Sequence, residues 1–488
     1  MTEQSARTDS LREAIRDLEA SARQLDPGPE ESDELWREVG GHVLRNVVER
    51  GHAAAYQAGE PLDAGIFAIA ETPAPIADAL ATMGKVERSG INQASGGKFS
   101  YIPGGGLFPA ALGDLLADVG NSYSGVQAGA PAAALMERSL VGWMAGLVGY
   151  PDTAGGDLTS GGSIANLEGI VTARDAMGIR SADVPRAVVY LTRETHHSVG
   201  KALRIAGLGE CPVRSVALDD HWRMRPDALA EAVAADAAAG LDPWLVVATA
   251  GTTDTGAVDP LAEIADVADA HDLWLQVDAA YGGFFILTGH GRRLLAGIER
   301  SRSVVMDPHK GLFLPYGSGA LVVRDERQLA EAHRFSAAYL ADARDEAADF
   351  SPSDLSVELS RPFRGPRLWL PLKVFGLAPF RAALEEKLLL ARWLHHRLSE
   401  TPGWEVGPEP DLSIVTYRYV PRRGDANDFN RRLLEAVREE GSVVISATEL
   451  DGIYTLRAAV LQYRSHLDEV ERLVEVLTQE AARLEAGL

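Results

Sequence analysis

Several short stretches of this chain carry side chains whose type and spacing could do chemistry. In VVMDPHKGL (304–312) an apolar run stops at a proline and delivers His309 and Lys310. A lysine just beyond a strand points into the crevice at a sheet edge. Its amine forms an imine with an aldehyde when burial and nearby cations lower its pKa. Taken alone, the same stretch also reads as an exposed turn. Upstream, LWLQVDAAYGGF ends an apolar strand at Asp278. A buried carboxylate needs a cation. A pyridinium nitrogen would serve, and the charge-assisted bond would keep such a ring protonated as an electron sink. A structural arginine would serve as well. Ala279 and Ala280 are small enough for a flat ring to lie against the backbone.

LTSGGSIANLEG opens a helix with Gly161, Gly162 and Ser163. Backbone N–H groups and the helix dipole favour a phosphate there, and glycine permits close approach. An ordinary N-cap made by Ser163 is the plainer alternative. LTRETHHSVGKALRIAG places His196 and His197 at another helix start. An imidazole there can stack on a planar group or move a proton near neutral pH, or it can be a satisfied structural histidine. VATAGTTDTGAVDP puts Thr249 at a strand end, within reach of a ring substituent or serving the turn at Gly251. The order is glycine-rich helix start, histidine pair, threonine, aspartate, lysine, all at one edge of one sheet. It matches the needs of a phosphorylated aldehyde cofactor with a basic ring nitrogen.

The elements that must hold these residues are legible as a pattern. From about 130 to 325, helical runs alternate with short apolar runs rich in β-branched residues: AVVYLT, VRSVAL, WLVVATA, LWLQVDA, SVVMD and GALVVRD. Such alternation predicts an α/β fold with a mostly parallel sheet covered on both faces. Ligands of these sheets bind beyond the carboxyl ends of the strands. Residues 1–32 are polar, and helical patterning starts near Glu34. After 370 one long helical run leads into a smaller α/β lobe. The expected divisions are an N-terminal helical segment over 1–90, a large domain over 91–370 and a small domain over 371–488.

The formal net charge of −23 opposes binding to nucleic acid or to anionic membrane surfaces and favours solubility. The single cysteine, Cys211, excludes an internal disulfide framework or a cysteine metal site and reads as an inert packed thiol. No metal site is expected. The start of the chain lacks the apolar core of a signal peptide, and no stretch has transmembrane length, so the expectation is a soluble cytoplasmic protein.

Over about 100–476 the chain resembles the group II pyridoxal-5′-phosphate-dependent amino-acid decarboxylases, which include aromatic L-amino-acid, histidine and glutamate decarboxylases. VDAAYGGF with DPHK at this spacing carries the resemblance, helped by FSYIPGGGLFPAALGDLLADVGN and GAPAAALMERSLVGWMAGLVGYP. It implies fold type I, like aspartate aminotransferase, and a homodimer with active sites at the subunit interface. It also implies decarboxylation of an L-amino acid, an aromatic one by first expectation, to the amine. Position by position, it implies pyridoxal 5′-phosphate as a Schiff base on Lys310, and Asp278 on the ring nitrogen. His196 would stack on the ring, Thr249 would lie near the ring hydroxyl, and Ala280 beneath the ring. Gly162, Ser163, Asp307 and His309 fall on phosphate-contacting positions, beside Gly161.

Two departures bear on chemistry. Many members have tryptophan after the lysine, where this chain has Gly311. Many carry a loop tyrosine that returns a proton after carbon dioxide leaves. The corresponding loop, 341–365, has none; alignment places Pro352 there, with Phe350 close by. The loop is acidic and proline-bearing, as a mobile lid would be. His196 or a water would then supply the proton. The alternatives are oxidative release of an aldehyde with ammonia and peroxide, carbon–carbon lyase chemistry on a related fold, and a catalytically silent binding protein.

Overall fold

The structure, a computed structural model, describes residues 3–335 and 350–487. The chain separates into two compact units, Met1–Ala53 with Gln57–Asn92, and Ala54–Tyr56 with Gln93–Leu488. Two-residue strands β1 (Tyr56–Gln57) and β2 (Gly90–Ile91) lie where the chain passes between them.

The first unit is helical: α1 (Glu3–Ala22), α2 (Pro29–His52) and α3 (Ile76–Glu87). The polar stretch at the start of the chain is thus a helix, built from strong helix formers such as Ala, Arg, Glu and Leu. α2 begins at Pro29 rather than near Glu34. Proline suits a first helical position, Glu30 and Glu31 suit the positive end of the dipole, and Arg50 and His52 the negative end.

The second unit carries a seven-stranded sheet of order β3-β9-β8-β7-β6-β4-β5. Its strands are β3 (Gly155–Thr159), β4 (Ala187–Leu191), β5 (Val213–Ser215), β6 (Asp242–Thr249), β7 (Trp274–Asp278), β8 (Ser303–Met306) and β9 (Gly319–Val323). The ladder from β8 through to β5 is parallel; β9 alone is reversed, antiparallel both to β8 and to the edge strand β3, which runs in the direction of the others. β3 is absent from the sequence-based expectation because GGDLT has turn composition. Its glycines answer to packing: a Cβ on Gly156 would lie 2.0 Å from the Leu321 carbonyl oxygen.

Before β9 come α4 (Phe108–Gly120), α5 (Pro131–Val148), α6 (Gly162–Ala176), α7 (His197–Ile205), α8 (Pro226–Ala238), α9 (Leu261–Ala270), α10 (Gly289–Leu294) and the one-turn α11 (Pro308–Gly311). After it come α12 (Glu326–His333), α13 (Gly365–Phe375), α14 (Leu377–Ser399), α15 (Ala426–Glu440) and α16 (Leu467–Glu485). The single long helix expected after 370 is two helices, because Gly376 sits at φ +69° between α13 and α14. A four-stranded antiparallel sheet, β10 (Trp404–Val406), β11 (Ile414–Tyr419), β13 (Ile453–Ala459) and β12 (Ser446–Leu450), closes the chain. It shares a core with α14, α15 and α16 through Leu394, Tyr417, Leu433 and Leu477. No helix among the described residues is long and apolar enough to cross a membrane.

Side-chain alternation along β7 sorts its residues. Leu275 and Val277 join one apolar cluster, and Trp274 joins the other. Gln276 and Asp278 lie on the Trp274 face, which α6 covers. That parity brings two buried polar groups under one helix.

Candidate functional site

Strand register places the site. Thr249 pairs with Asp278, and Asp278 with Val305, so the carboxyl ends of β6, β7 and β8 stop at one level. A cavity of about 260 Å³ opens there. Ten residues singled out from the sequence line it, Gly161, Gly162, Ser163, His196, Thr249, Asp278, Ala280, Asp307, His309 and Lys310, whereas His197 and Ala279 do not. Gly251 joins them, with Ser160, Ile164, Asn166, Ser198, Thr253 and Tyr281, which the sequence reading missed.

At one end of the cavity α6 begins. Its N-cap is Gly161 at φ +154°, a conformation open essentially to glycine alone. Ser163 lies inside the helix and is exposed, so it is not the N-cap, and no side chain caps this end. A Cβ on Gly162 would stand 3.0 Å from the Asp307 carboxylate and 3.2 Å from Ala280 Cβ. The first turn therefore presents bare backbone and the positive end of a fifteen-residue helix. His309 donates from Nδ1 to the Ser318 carbonyl at 2.5 Å, which leaves Nε2 3.8 Å from Asp307. Burial lowers the His309 pKa, against the opposing charge of Asp307.

Lys310 stands on α11, its Nζ 2.8 Å from the Asp307 carboxylate. The sequence reading looked to burial and nearby cations to lower its pKa. Burial does act that way, but the charge of Asp307 and its hydrogen bond, with Asp278 beyond, outweigh it and raise the pKa. The neighbours are carboxylates, not cations, so the amine is held as an ammonium until that pair is broken.

Asp278 is 5% exposed and has no arginine partner among the described residues. It accepts hydrogen bonds from Asn166 Nδ2 at 3.0 Å and from the Ala280 N–H at 3.1 Å. Asn166 also donates to Ser198 Oγ at 3.1 Å, and His196 Nδ1 lies 2.7 Å from that hydroxyl. The rings of His196 and His197 sit 4.1 Å apart between centroids. Asn166 and Gln276 had a sequence signal: a polar residue one helical turn after Gly162, and a glutamine inside an apolar strand.

The donor set fits a phosphorylated pyridine aldehyde. Two buried polar atoms in the cavity wall, Thr249 Oγ1 and Asp307 Oδ1, have no hydrogen-bond partner among the described residues, and buried groups of this kind call for one. An uncapped helix start suits the phosphate, an acceptor-only carboxylate suits a protonated ring nitrogen, and an amine lies on the same cavity wall. Among the described residues no cluster of histidine, cysteine or carboxylate side chains could hold a metal ion. Cys211 stands apart from the cavity and is buried; burial pushes its thiol up to about 11.

Both departures have a structural setting. A Cβ on Gly311 would lie 2.7 Å from Phe284 Cβ, so Phe284 fills the space a larger residue would need. Of the loop at 341–365, residues 341–349 lie outside the described residues. The remainder is pinned. Pro352–Asp354 form a short 3-10 turn. Glu168 accepts from Ser356 Oγ and the Val357 N–H, both at 3.1 Å. Arg361 is buried between Glu137, at 2.9 Å, and Asp157.

Burial, then the charge of Asp157, raises the Glu168 pKa well above the usual carboxylate range, against the Val357 and Ser356 hydrogen bonds and Arg361. An acid raised in the folded state binds its proton more tightly there than when unfolded. Its stabilising contribution is complete below the unfolded value and is lost as pH rises through the folded one. Glu168→Gln, which imitates the protonated form, should therefore stabilise the protein at pH 8 by about 1 kcal/mol or more. The gain should shrink towards pH 5. Urea unfolding of both proteins at the two pH values checks this; an equal or larger gain at pH 5 would contradict it.

Comparison with known proteins agrees with this geometry. Residues 69–420 match the family described as the pyridoxal-dependent decarboxylase conserved domain. The chain is 33% identical over 380 residues to an aromatic-L-amino-acid decarboxylase from Bacillus atrophaeus, covering 77% of this chain and 79% of that one. It is 30% identical to a phenylacetaldehyde synthase from Arabidopsis thaliana, covering 77% and 80%. A crystal structure of Oryza sativa TDC with PLP and tryptamine superposes with a TM-score of 0.87 at 26% identity, covering 94% of this chain and 99% of that one.

Proposed function

This chain belongs to the pyridoxal-dependent decarboxylase family, and from that footing we propose that it removes the α-carboxylate of an aromatic L-amino acid and releases the amine. It is a pyridoxal-5′-phosphate-dependent amino-acid decarboxylase. The bound cofactor supplies an aldehyde for imine attachment and a protonated ring that takes up the electron pair left by carbon dioxide. The observation that carries the reading is the convergence of Lys310, Asp278 and the uncapped start of α6 on one cavity.

In this reading Lys310 holds the cofactor and yields it to the substrate amine. Asp278 keeps a proton on the ring nitrogen by a charge-assisted bond. Gly161, Gly162 and Ser163 offer backbone N–H groups to the phosphate, with His309 beside them. Asp307 serves as the counter-ion of the Lys310 ammonium, the role its 2.8 Å contact favours over direct phosphate binding. His196 covers one ring face, Ala280 leaves room on the other, and the Thr249 hydroxyl meets the ring substituent. The aromatic substrate class rests on the relatives' names.

A homodimer belongs to the same proposal. Leu116 and Val119 on α4 are 63% and 79% exposed, and Trp36 and Val48 on α2 are 56% and 66% exposed. Apolar helix faces of this kind suit a second copy of the chain.

One observation favours a second outcome: residues 341–365 contain no tyrosine. Without that proton donor, substrate, oxygen and water would give aldehyde, carbon dioxide, ammonia and hydrogen peroxide. Incubation with tryptophan, tyrosine, phenylalanine and 3,4-dihydroxyphenylalanine, following carbon dioxide, oxygen and product mass, tests both. Amine without oxygen uptake supports the first reading. Aldehyde with oxygen consumed one for one with carbon dioxide supports the second. No carbon dioxide from any of the four overturns the aromatic assignment.

A further inference from the structure

We infer that Asn166 and Ser198 fix the tautomer of His196, holding a neutral ring whose Nδ1 accepts hydrogen bonds and whose Nε2–H is the hydrogen left for the cavity. The inference deepens the reading above by naming what His196 can and cannot do there.

One buried chain of hydrogen bonds leads to His196, and its two ends are chemically unambiguous. At one end the Trp274 indole, which can only donate, points at Ser303 Oγ at 3.0 Å. Ser303 donates to Gln276 Oε1 at 3.3 Å, and Gln276 Nε2 donates to Asn166 Oδ1 at 2.8 Å. At the other end stands the Asp278 carboxylate, an acceptor, 3.0 Å from Asn166 Nδ2. A donor-only group and an acceptor-only group at the two ends leave one self-consistent direction for both amides. Asn166 therefore spends one amide hydrogen on Asp278 and the other on Ser198 Oγ at 3.1 Å. Trp274, Gln276 and Ser303 are 0% exposed, Asn166 1% and Ser198 3%, so the protein itself must satisfy these groups.

Ser198 Oγ, having accepted from Asn166, has its own proton to place, and His196 Nδ1 lies 2.7 Å away. The Ser198 backbone N–H also points at Nδ1, at 3.3 Å, where His196 caps α7. A proton on Nδ1 would face both donors. The ring hydrogen therefore sits on Nε2. Burial lowers the His196 pKa in the same sense; Asp278 opposes, His197 and Lys310 add to it, and Asp307 opposes weakly.

The consequence revises the sequence-based expectation that His196 supplies the proton that replaces carbon dioxide. A neutral imidazole locked this way donates a hydrogen bond and delivers no proton at neutral pH. Among the described residues the ammonium on the cavity wall is that of Lys310, which with a water is what remains to return the proton; from Nζ the transfer would leave a neutral amine.

The test uses the full chain labelled with ¹⁵N-histidine, with and without pyridoxal 5′-phosphate, and with His196→Gln to assign the signals. Long-range ¹H–¹⁵N correlation should show His196 Nδ1 unprotonated and Nε2 protonated at about pH 7.5, with a protonation midpoint below that of an ordinary histidine. Ser198→Ala and Asn166→Asp should each give mixed tautomers and a midpoint raised by one pH unit or more, and Ser198→Thr should restore the wild-type pattern. A protonated Nδ1 in the wild type, or a pattern unchanged in both disrupting variants, would overturn the inference. No substrate is present, so an error in the proposed substrate leaves this measurement unaffected.

Discussion

Lys310→Ala should lose the visible absorption of the cofactor-bound protein and slow decarboxylation by roughly a thousandfold or more, since both covalent attachment and an acid–base group go together. The structure adds a second expected result. Removing the ammonium strands the Asp307 carboxylate, whose side chain is 2% exposed, beside the start of α6 without its 2.8 Å partner. Breaking one half of a buried pair destabilises more than exchanging the pair for apolar groups. Lys310→Ala should therefore unfold at lower denaturant than wild type when both are stripped of cofactor. Lys310→Arg keeps a cation and cannot form the imine. It should recover most of the stability and none of the absorption. Absorption spectra and urea curves of the three proteins separate the two roles. Wild-type absorption in Lys310→Ala would remove the basis of the proposed chemistry.

Asp278→Asn should cost about a hundredfold to a thousandfold in kcat/KM, the scale of losing one preorganised electrostatic partner in an enclosed site. The physical reason is that an amide does not hold a proton on a ring nitrogen as a carboxylate does. Stability should respond differently. Asp278 faces Asn166 and a backbone N–H rather than a cation, so an uncharged side chain of the same shape relieves a buried charge while disturbing one hydrogen bond. With cofactor removed, the variant should be about as stable as the wild type, or more so. Steady-state kinetics with the preferred amino acid and denaturation without cofactor provide the check; an undiminished kcat/KM would show that this carboxylate does not face the ring.

Much of this site is legible in the sequence because strand ends are legible there. Thr249, Asp278 and Asp307 each end a mostly apolar run, and a parallel sheet collects such ends along one edge. What stayed hidden depended on contacts between residues distant in the chain. β3 looked like a turn because its glycines exist to let Leu321 approach, a reason invisible at Gly156 itself. The division of the long helix at Gly376 was a local choice between tolerating a glycine and using its positive φ. The sign of the Lys310 environment is not legible in the sequence, because Asp307, three residues away, turns its carboxylate back onto the amine through one turn of α11. The importance of Asn166 comes from three partners on two other elements, Gln276 and Asp278 on β7 and Ser198 in the first turn of α7.

Gly162 and Asn166 stand one turn apart on α6, a rise of about 6 Å. In the proposed reading the first belongs to the cradle for the anionic group, and the second, which donates to Asp278, holds the carboxylate that would face the ring nitrogen. A single rigid turn thus acts as a gauge between the two ends of the cofactor. Pyridoxal analogues with the phosphate arm lengthened by one methylene should be rejected even though each of their ends finds chemistry that suits it.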